Sequence, residues 1–155
     1  MIAVVPTTVT ILPVSFRDIL DAPNSADLIQ AYATECLVPD AQPQRAAYEA
    51  MEKAGALQCF AAYVNGRLIG FCSVLSAVMP HTGFRLATVE SVFVDPAYRS
   101  LGADADLLDA AEQYAIDSDC RQITGLARVG SAFDKVLSRR PGYTPTHTQH
   151  TRWLA

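Results

Sequence analysis

Positive charge is scarce in this chain. Lys and Arg together number 12 against 16 Asp and Glu, and the net charge is −4. A nucleic-acid binder usually shows a basic face, so the balance argues against that class, although Arg121, Arg128, Arg139 and Arg140 gather late in the chain. No uncharged apolar run approaches the ~18 residues that a membrane span needs. The N-terminal stretch Met1 to Thr10 has no basic segment ahead of an apolar one and no clear cleavage site, so no secretory leader is expected. The four cysteines, Cys36, Cys59, Cys72 and Cys120, form no C-x-x-C pair and sit in apolar settings. They read as reduced thiols of a cytoplasmic protein, and no zinc site is expected. His147 and His150 lie three apart on what reads as a strand. They would point to opposite faces, so no metal pair is expected there.

What is present suits one globular domain over residues 1–155. Half of the residues are apolar and 18% are charged. That is enough for one sizeable core and argues against disorder. Val9 to Phe16 reads as a first strand, with Val4 and Val5 leading in. Asp21 to Ser25 is a turn and helix start, and Ala26 to Val38 is helical with Leu28, Ile29, Tyr32, Ala33 and Cys36 on one stripe. Pro39 and Pro43 break it; Gln44 to Ala54 is a second helix closed by Gly55. Leu57 to Val64 and Arg67 to Met79 are strands joined by Asn65-Gly66, the strongest local signal for a two-residue type I′ hairpin. Phe84 to Val94 completes an antiparallel meander. A helix from Ala103 to Ser118, a strand from Gln122 to Val129, a helix from Ser131 to Ser138 and a last strand or hairpin arm from Tyr143 to Leu154 follow. The predicted order is β-α-α-β-β-β-α-β-α-β: an α/β fold with a mixed, mostly antiparallel central sheet and flanking helices.

The segment Val94-Asp95-Pro96-Ala97-Tyr98-Arg99-Ser100-Leu101-Gly102-Ala103-Asp104 carries the most chemistry. A strand ends in a loop whose free backbone N–H groups sit at a helix N-terminus, which is a ready anion site. The segment resembles the acyl-CoA motif of the GNAT superfamily of N-acetyltransferases, roughly V-x-x-x-(Q/R)-x-x-G-x-(G/A). Val94, the Asp-Pro turn, Arg99 and Gly102 match it, and Asp104 stands where the family has its second small residue. The helix Leu107 to Ala115, and Phe133 through Gly142-Tyr143, are similar to the family's later elements, and the order of elements over most of the chain is the family's.

That resemblance implies an acetyl-CoA-dependent N-acetyltransferase acting on a primary amine of a small molecule or protein. The pyrophosphate of acetyl-CoA would rest on the backbone N–H groups of Leu101 to Asp104, with Ser100 and Ala103 in the same loop and Arg99 shaping it. Gly102 lets the backbone come close. The backbone of Phe93 and Val94 would pair with the pantetheine amides. Glu90, an acid in the otherwise apolar run Ala87 to Val94, occupies the position of the family's general base. The family's general acid is a Tyr on the late helix, and Ser138 stands there instead. Either Ser138 or a water acts, or Tyr143 or Tyr98 substitutes, or the thiolate leaves unaided. The acceptor pocket would draw on Tyr32, Glu35, Asp40, Tyr48 and Thr144 to His150, and its acids would attract a cationic amine. The family often forms homodimers through its C-terminal strands.

Asp104 sets two effects against each other. In the first turn of a helix a carboxylate is favourable by roughly 0.5–1 kcal/mol. Beside a pyrophosphate at about 5 Å and an effective dielectric near 20 it is unfavourable by roughly 3 kcal/mol. The carboxylate turns away, or the cofactor binds weakly, or it does not bind. Two other functions therefore stand beside the enzyme: a GNAT-fold binding or regulatory module that has lost transfer, and a GNAT-like modifier of nucleic acid.

Overall fold

The computed structural model describes residues 7–38 and 41–154. The lead-in at Val4 and Val5, the break at Pro39 and the acceptor candidate Asp40 lie outside the described residues. The chain runs β1 (Thr10–Val14), α1 (Phe16–Asp21), α2 (Ser25–Glu35), α3 (Arg45–Lys53), β2 (Leu57–Val64), β3 (Arg67–Val78), β4 (Arg85–Val94), a 3-10 turn (Pro96–Leu101), α4 (Ala103–Asp117), β5 (Gln122–Gly125) and α5 (Ala132–Arg139). The five strands lie in the order β1-β2-β3-β4-β5, antiparallel except for the β4–β5 pair. The mixed, mostly antiparallel sheet with flanking helices is the fold that the sequence predicts.

Local chemistry sets the elements. Asn65 and Gly66 both have positive φ (49° and 76°), and Val64 pairs with Arg67. The hairpin turn is therefore type I′, as predicted. Gly55 lies left-handed just past α3 and its N–H donates to Glu52 O. The strand predicted to reach Phe16 stops at Val14, because Ser15 and Asp18 form a capping box that starts α1. The strand predicted to reach Val129 stops at Gly125. A Cβ there would lie 2.5 Å from a Leu137 methyl and 3.3 Å from the Phe133 ring, so α5 is packed directly on the strand and the chain turns away to meet it. The last strand predicted over Tyr143 to Leu154 is not formed among the described residues. Pro145 removes a donor. The following residues are polar, and Trp153 and Leu154 are 91% and 83% exposed, so no apolar face is there to bury.

Both faces of the sheet are covered. Ile69, Cys72, Val74, Ala87, Val89 and Val94 pack against Leu107, Leu108 and Ala111 of α4. Leu57, Phe71 and Phe93 pack against Phe16, Ile19 and Leu28 of α1 and α2. That is why β3 reads as a continuous apolar run rather than an alternating one. No helix among the described residues is long and apolar enough to cross a membrane.

Candidate active site

The register of β4 contains the feature that organises the site. Ser73 pairs with Ser91 and Val74 with Val89, so Glu90 is an extra residue on β4, a β-bulge. Without it, Glu90 and Ser91 would face opposite sides of the sheet. With it, both face the α1–α2 side, while Val89, Val92 and Val94 keep to the α4 side. Ser73, 2% exposed, reaches both: its Oγ is 2.6 Å from Glu90 Oε2 and 2.5 Å from Ser91 Oγ. The Ser73 hydroxyl donates to the carboxylate and the Ser91 hydroxyl can donate to Ser73. Glu90 is thereby held on one oxygen and exposed on the other side.

β4 and β5 pair only as far as Val89 and Gly125. Beyond that point they part, and the opening is a cleft of about 420 Å³. One wall is Glu90 to Val94; the other is Leu126 to Arg128 and the start of α5; Tyr32 and Glu35 of α2, with its C-cap Cys36, close it. The Asp95 N–H donates to Ile69 O, which fixes the ladder parity. Phe93 and Ser91 then bond to β3, and the main-chain groups of Val92 and Val94 face the opening. The Phe93 carbonyl does point to β3: a Cβ on Gly70 would lie 2.7 Å from it. Of the pair named from the sequence, Val94 therefore presents backbone to the cleft and Phe93 does not. The Phe93 side chain is core, with Tyr32 edge-on to it at 5.9 Å.

At the wide end stands the start of α4. Gly102 has φ 78° and caps the helix without a side-chain hydrogen bond. That left-handed value favours glycine. Its N–H already donates to Arg99 O, and Leu101 closes the 3-10 turn. The orphan donors are therefore those of Ala103, Asp104 and Ala105. Ser100 is exposed on that turn, and neither Ser100 nor Leu101 lines the cleft. Asp104 does line it. Arg99 is engaged within the protein: its Nε donates to Val94 O at 2.9 Å, its Nη2 pairs with Glu35 Oε2, and its guanidinium lies 5.4 Å from the Phe93 ring centroid. It fixes the end of β4 to α2. Arg128, on the opposite wall, has no ion-pair partner among the described residues; in the sequence it is noted only among the late arginines and is not placed in this cleft.

A second cleft, about 210 Å³, opens on the α1–α2–α3 side between Phe16, Ile29, Tyr48, Pro43 and Phe71. Tyr32, Glu90 and Ser91 line both clefts. Burial pushes the Tyr32 and Tyr48 phenols up to about 12, and the charge of Glu90 adds to both. Ser138 is exposed on α5 and lines neither cleft. Tyr98 and Tyr143 pack on the α4 core, where the Tyr143 hydroxyl is buried beside Glu112. Thr144 to His150 are exposed apart from both clefts. The described residues hold no cluster of potential metal ligands. The late arginines do not make one basic face either: Arg140 is bound to Glu112 and Asp109, and Arg121 lies over the Phe84 ring.

The sheet parts beside a helix start, and an acid stands at the parting. The chain belongs to the Acetyltransferase (GNAT) family, whose model matches residues 25–132. Among solved structures it is similar to a ribosomal-protein-alanine N-acetyltransferase from Brucella melitensis biovar Abortus 2308 (21% identity, TM-score 0.73, covering 96% of this chain and 100% of that one). It is also similar to the aminoglycoside acetyltransferase meta-AAC0020 from an uncultured soil metagenomic sample, solved with sisomicin (15% identity, TM-score 0.74, 95% and 97%). A third is AAC(6')-Iy in complex with a CoA bisubstrate analogue (16% identity, TM-score 0.72, 96% and 99%). No curated protein matches the chain in sequence.

Proposed function

We propose that this protein transfers an acetyl group from acetyl-CoA to a primary amine, with Glu90 as the general base. One observation carries the reading: Glu90 and Ser91 stand where the two clefts meet, on a bulge that turns both side chains to the same side. The family membership and the CoA complex of AAC(6')-Iy support acetyl-CoA as the donor.

The donor cleft fits such a group. The open main-chain groups of Val92 and the Val94 N–H match pantetheine amides and an acyl carbonyl, while the Val94 carbonyl is held by Arg99; the N–H groups of Ala103 to Ala105 with the α4 dipole match a pyrophosphate. Arg128 supplies a positive charge on the facing wall. Asp104, which lines the same cleft, opposes it, and solvent screening lowers that opposition.

The amine arrives as an ammonium ion from the second cleft. Glu90 takes one proton from it, directly or through a water, using the oxygen not held by Ser73. The neutral nitrogen attacks the thioester carbonyl carbon, and the C–N bond forms as the carbonyl becomes an oxyanion facing backbone N–H donors of β4. The C–S bond then breaks, the thiolate takes up one of the two protons left on the nitrogen, and the neutral amide keeps the other. A thiol has an ordinary pKa near 8.5, so its thiolate leaves readily without a dedicated acid. In this reading Ser138 has no part in the chemistry.

The test is a thermal-shift titration with acetyl-CoA combined with thiol release over a panel of amines. Stabilisation by acetyl-CoA together with amine-dependent thiol release is the expected result. No shift at millimolar acetyl-CoA would overturn the reading. A shift with no turnover on any amine would mark the protein as a binding module, the reading that Asp104 favours.

A further inference from the structure

The second cleft, taken as the acceptor side on the reading above, states a chemical class of amine. We infer that the acceptor is a compact monoamine with one apolar, ring-sized body, and not a polycation. Among the described residues lining this cleft, Glu90 is the only charged group. Around it lie Phe16, Ile29, Tyr32, Pro43, Tyr48 and Phe71. The Phe16 and Tyr48 rings are stacked at 3.5 Å and 6°, a flat slab on one side, and Tyr32 stands edge-on to Phe71 at 5.5 Å on another. A cavity of about 150 Å³ lined by apolar side chains takes up benzene, so 210 Å³ holds one ring and a short chain.

The acids of α1 to α3 are committed elsewhere. Asp21 pairs with Arg45, Glu49 with Arg17 and Glu35 with Arg99; Asp18 caps α1, and Glu52 accepts the Phe16 N–H at 2.6 Å. Asp27 lines neither cleft. Among the described residues, one ammonium therefore finds a partner in Glu90, and a second would be desolvated against aromatic carbon with none.

The binding side of this claim is testable without the donor. Saturation-transfer NMR on the whole protein should show the ring protons of 2-phenylethylamine in contact, undiminished by a tenfold excess of spermidine or tobramycin. Ala41→Trp, on the connecting loop and clear of the packed core, should fill the cleft and reduce the transfer at least fivefold. With acetyl-CoA present, thiol release should give kcat/KM for 2-phenylethylamine at least tenfold above that for spermidine and tobramycin. Displacement by the polycations, transfer unchanged in Ala41→Trp, or equal or better turnover of a polycation would overturn the inference while leaving the transferase reading standing. Loss of the acetyl-CoA thermal shift alone would overturn the transferase reading and not the amine class.

Discussion

Ser73 Oγ lies 2.6 Å from Glu90 Oε2, across the point where β4 carries one more residue than β3. A buried hydroxyl on a central strand thus orients a carboxylate on the next strand, and the bulge aims that carboxylate at both clefts. Replacing Glu90 by Gln keeps the shape and an acceptor oxygen for Ser73 but removes the base. We expect kcat to fall by roughly 10²–10⁴, with the acetyl-CoA thermal shift kept. Ser73→Ala should lower kcat by about tenfold with the acetyl-CoA affinity unchanged, and Ser73→Thr should restore part of it. Steady-state thiol release with parallel thermal shifts checks all three; unchanged kcat in Glu90→Gln would remove the base assignment.

Asp104 lines the donor cleft, with Glu35 and Glu90, and stands at the start of α4, which has no side-chain cap. Asp104→Asn removes its charge at similar size. The helix loses about 0.5 kcal/mol of favourable dipole interaction. An anionic donor escapes a repulsion of roughly 3 kcal/mol at most, less where solvent screens it. The expected outcome is about tenfold tighter acetyl-CoA binding by calorimetry, narrowing as salt is added. Equal affinity would mean that the carboxylate stands clear of the bound donor.

Much of this was legible in the residues, and the part that was not has identifiable causes. The meander, its Asn65-Gly66 turn and α4 follow from local periodicity and turn chemistry, which act over a few residues. The bulge at Glu90 depends on how β3 and β4 register, so the sequence shows an acid in an apolar strand but not where it points. Ser73 is invisible for the same reason: a serine amid apolar strand residues gains a role only through the facing strand. The end of β5 at Gly125 is set by Leu137 and Phe133 arriving from α5, a tertiary contact that overrides the strand propensity of the residues after it. The parity that turns Val92 and Val94 to the cleft rests on one hydrogen bond, from Asp95 N–H to Ile69 O.

Cys36 offers a built-in probe of the donor cleft. It lines that cleft, half-buried, and burial with the nearby Glu35 charge pushes its thiol up, so it reacts slowly but is reachable. Cys59 and Cys72 are fully buried and closed to reagent. Cys120 packs on the α4 core and lines neither cleft. Iodoacetamide labelling read by mass spectrometry should modify Cys36 and Cys120 in the native protein. Saturating acetyl-CoA should slow Cys36 at least tenfold and leave Cys120 alone. Equal protection of both, or of neither, would place the donor elsewhere.

Stability at alkaline pH follows from groups that the fold keeps neutral. Burial first, with neighbouring negative charge second, pushes Tyr32, Tyr48 and Tyr143 up to about 12 from an ordinary 10, and Cys59 up to about 12 from 9. Between pH 9 or 10 and pH 12 the unfolded chain has released these protons and the folded protein still holds them. Unfolding then releases protons, and the stability that is fully present below pH 9 declines as pH rises toward 12. Each group contributes at most about 1.4 kcal/mol per pH unit, less for the half-exposed phenols. Urea midpoints should therefore be flat with respect to these groups up to pH 9 and fall steadily from pH 9 to 11. Tyr48→Phe keeps the ring stacked on Phe16 and should make that fall shallower. Tyr143→Phe should do the same. A midpoint unchanged between pH 9 and 11 in the parent protein would show that water reaches these groups in the folded state, and with it that the aromatic wall of the second cleft is open rather than packed.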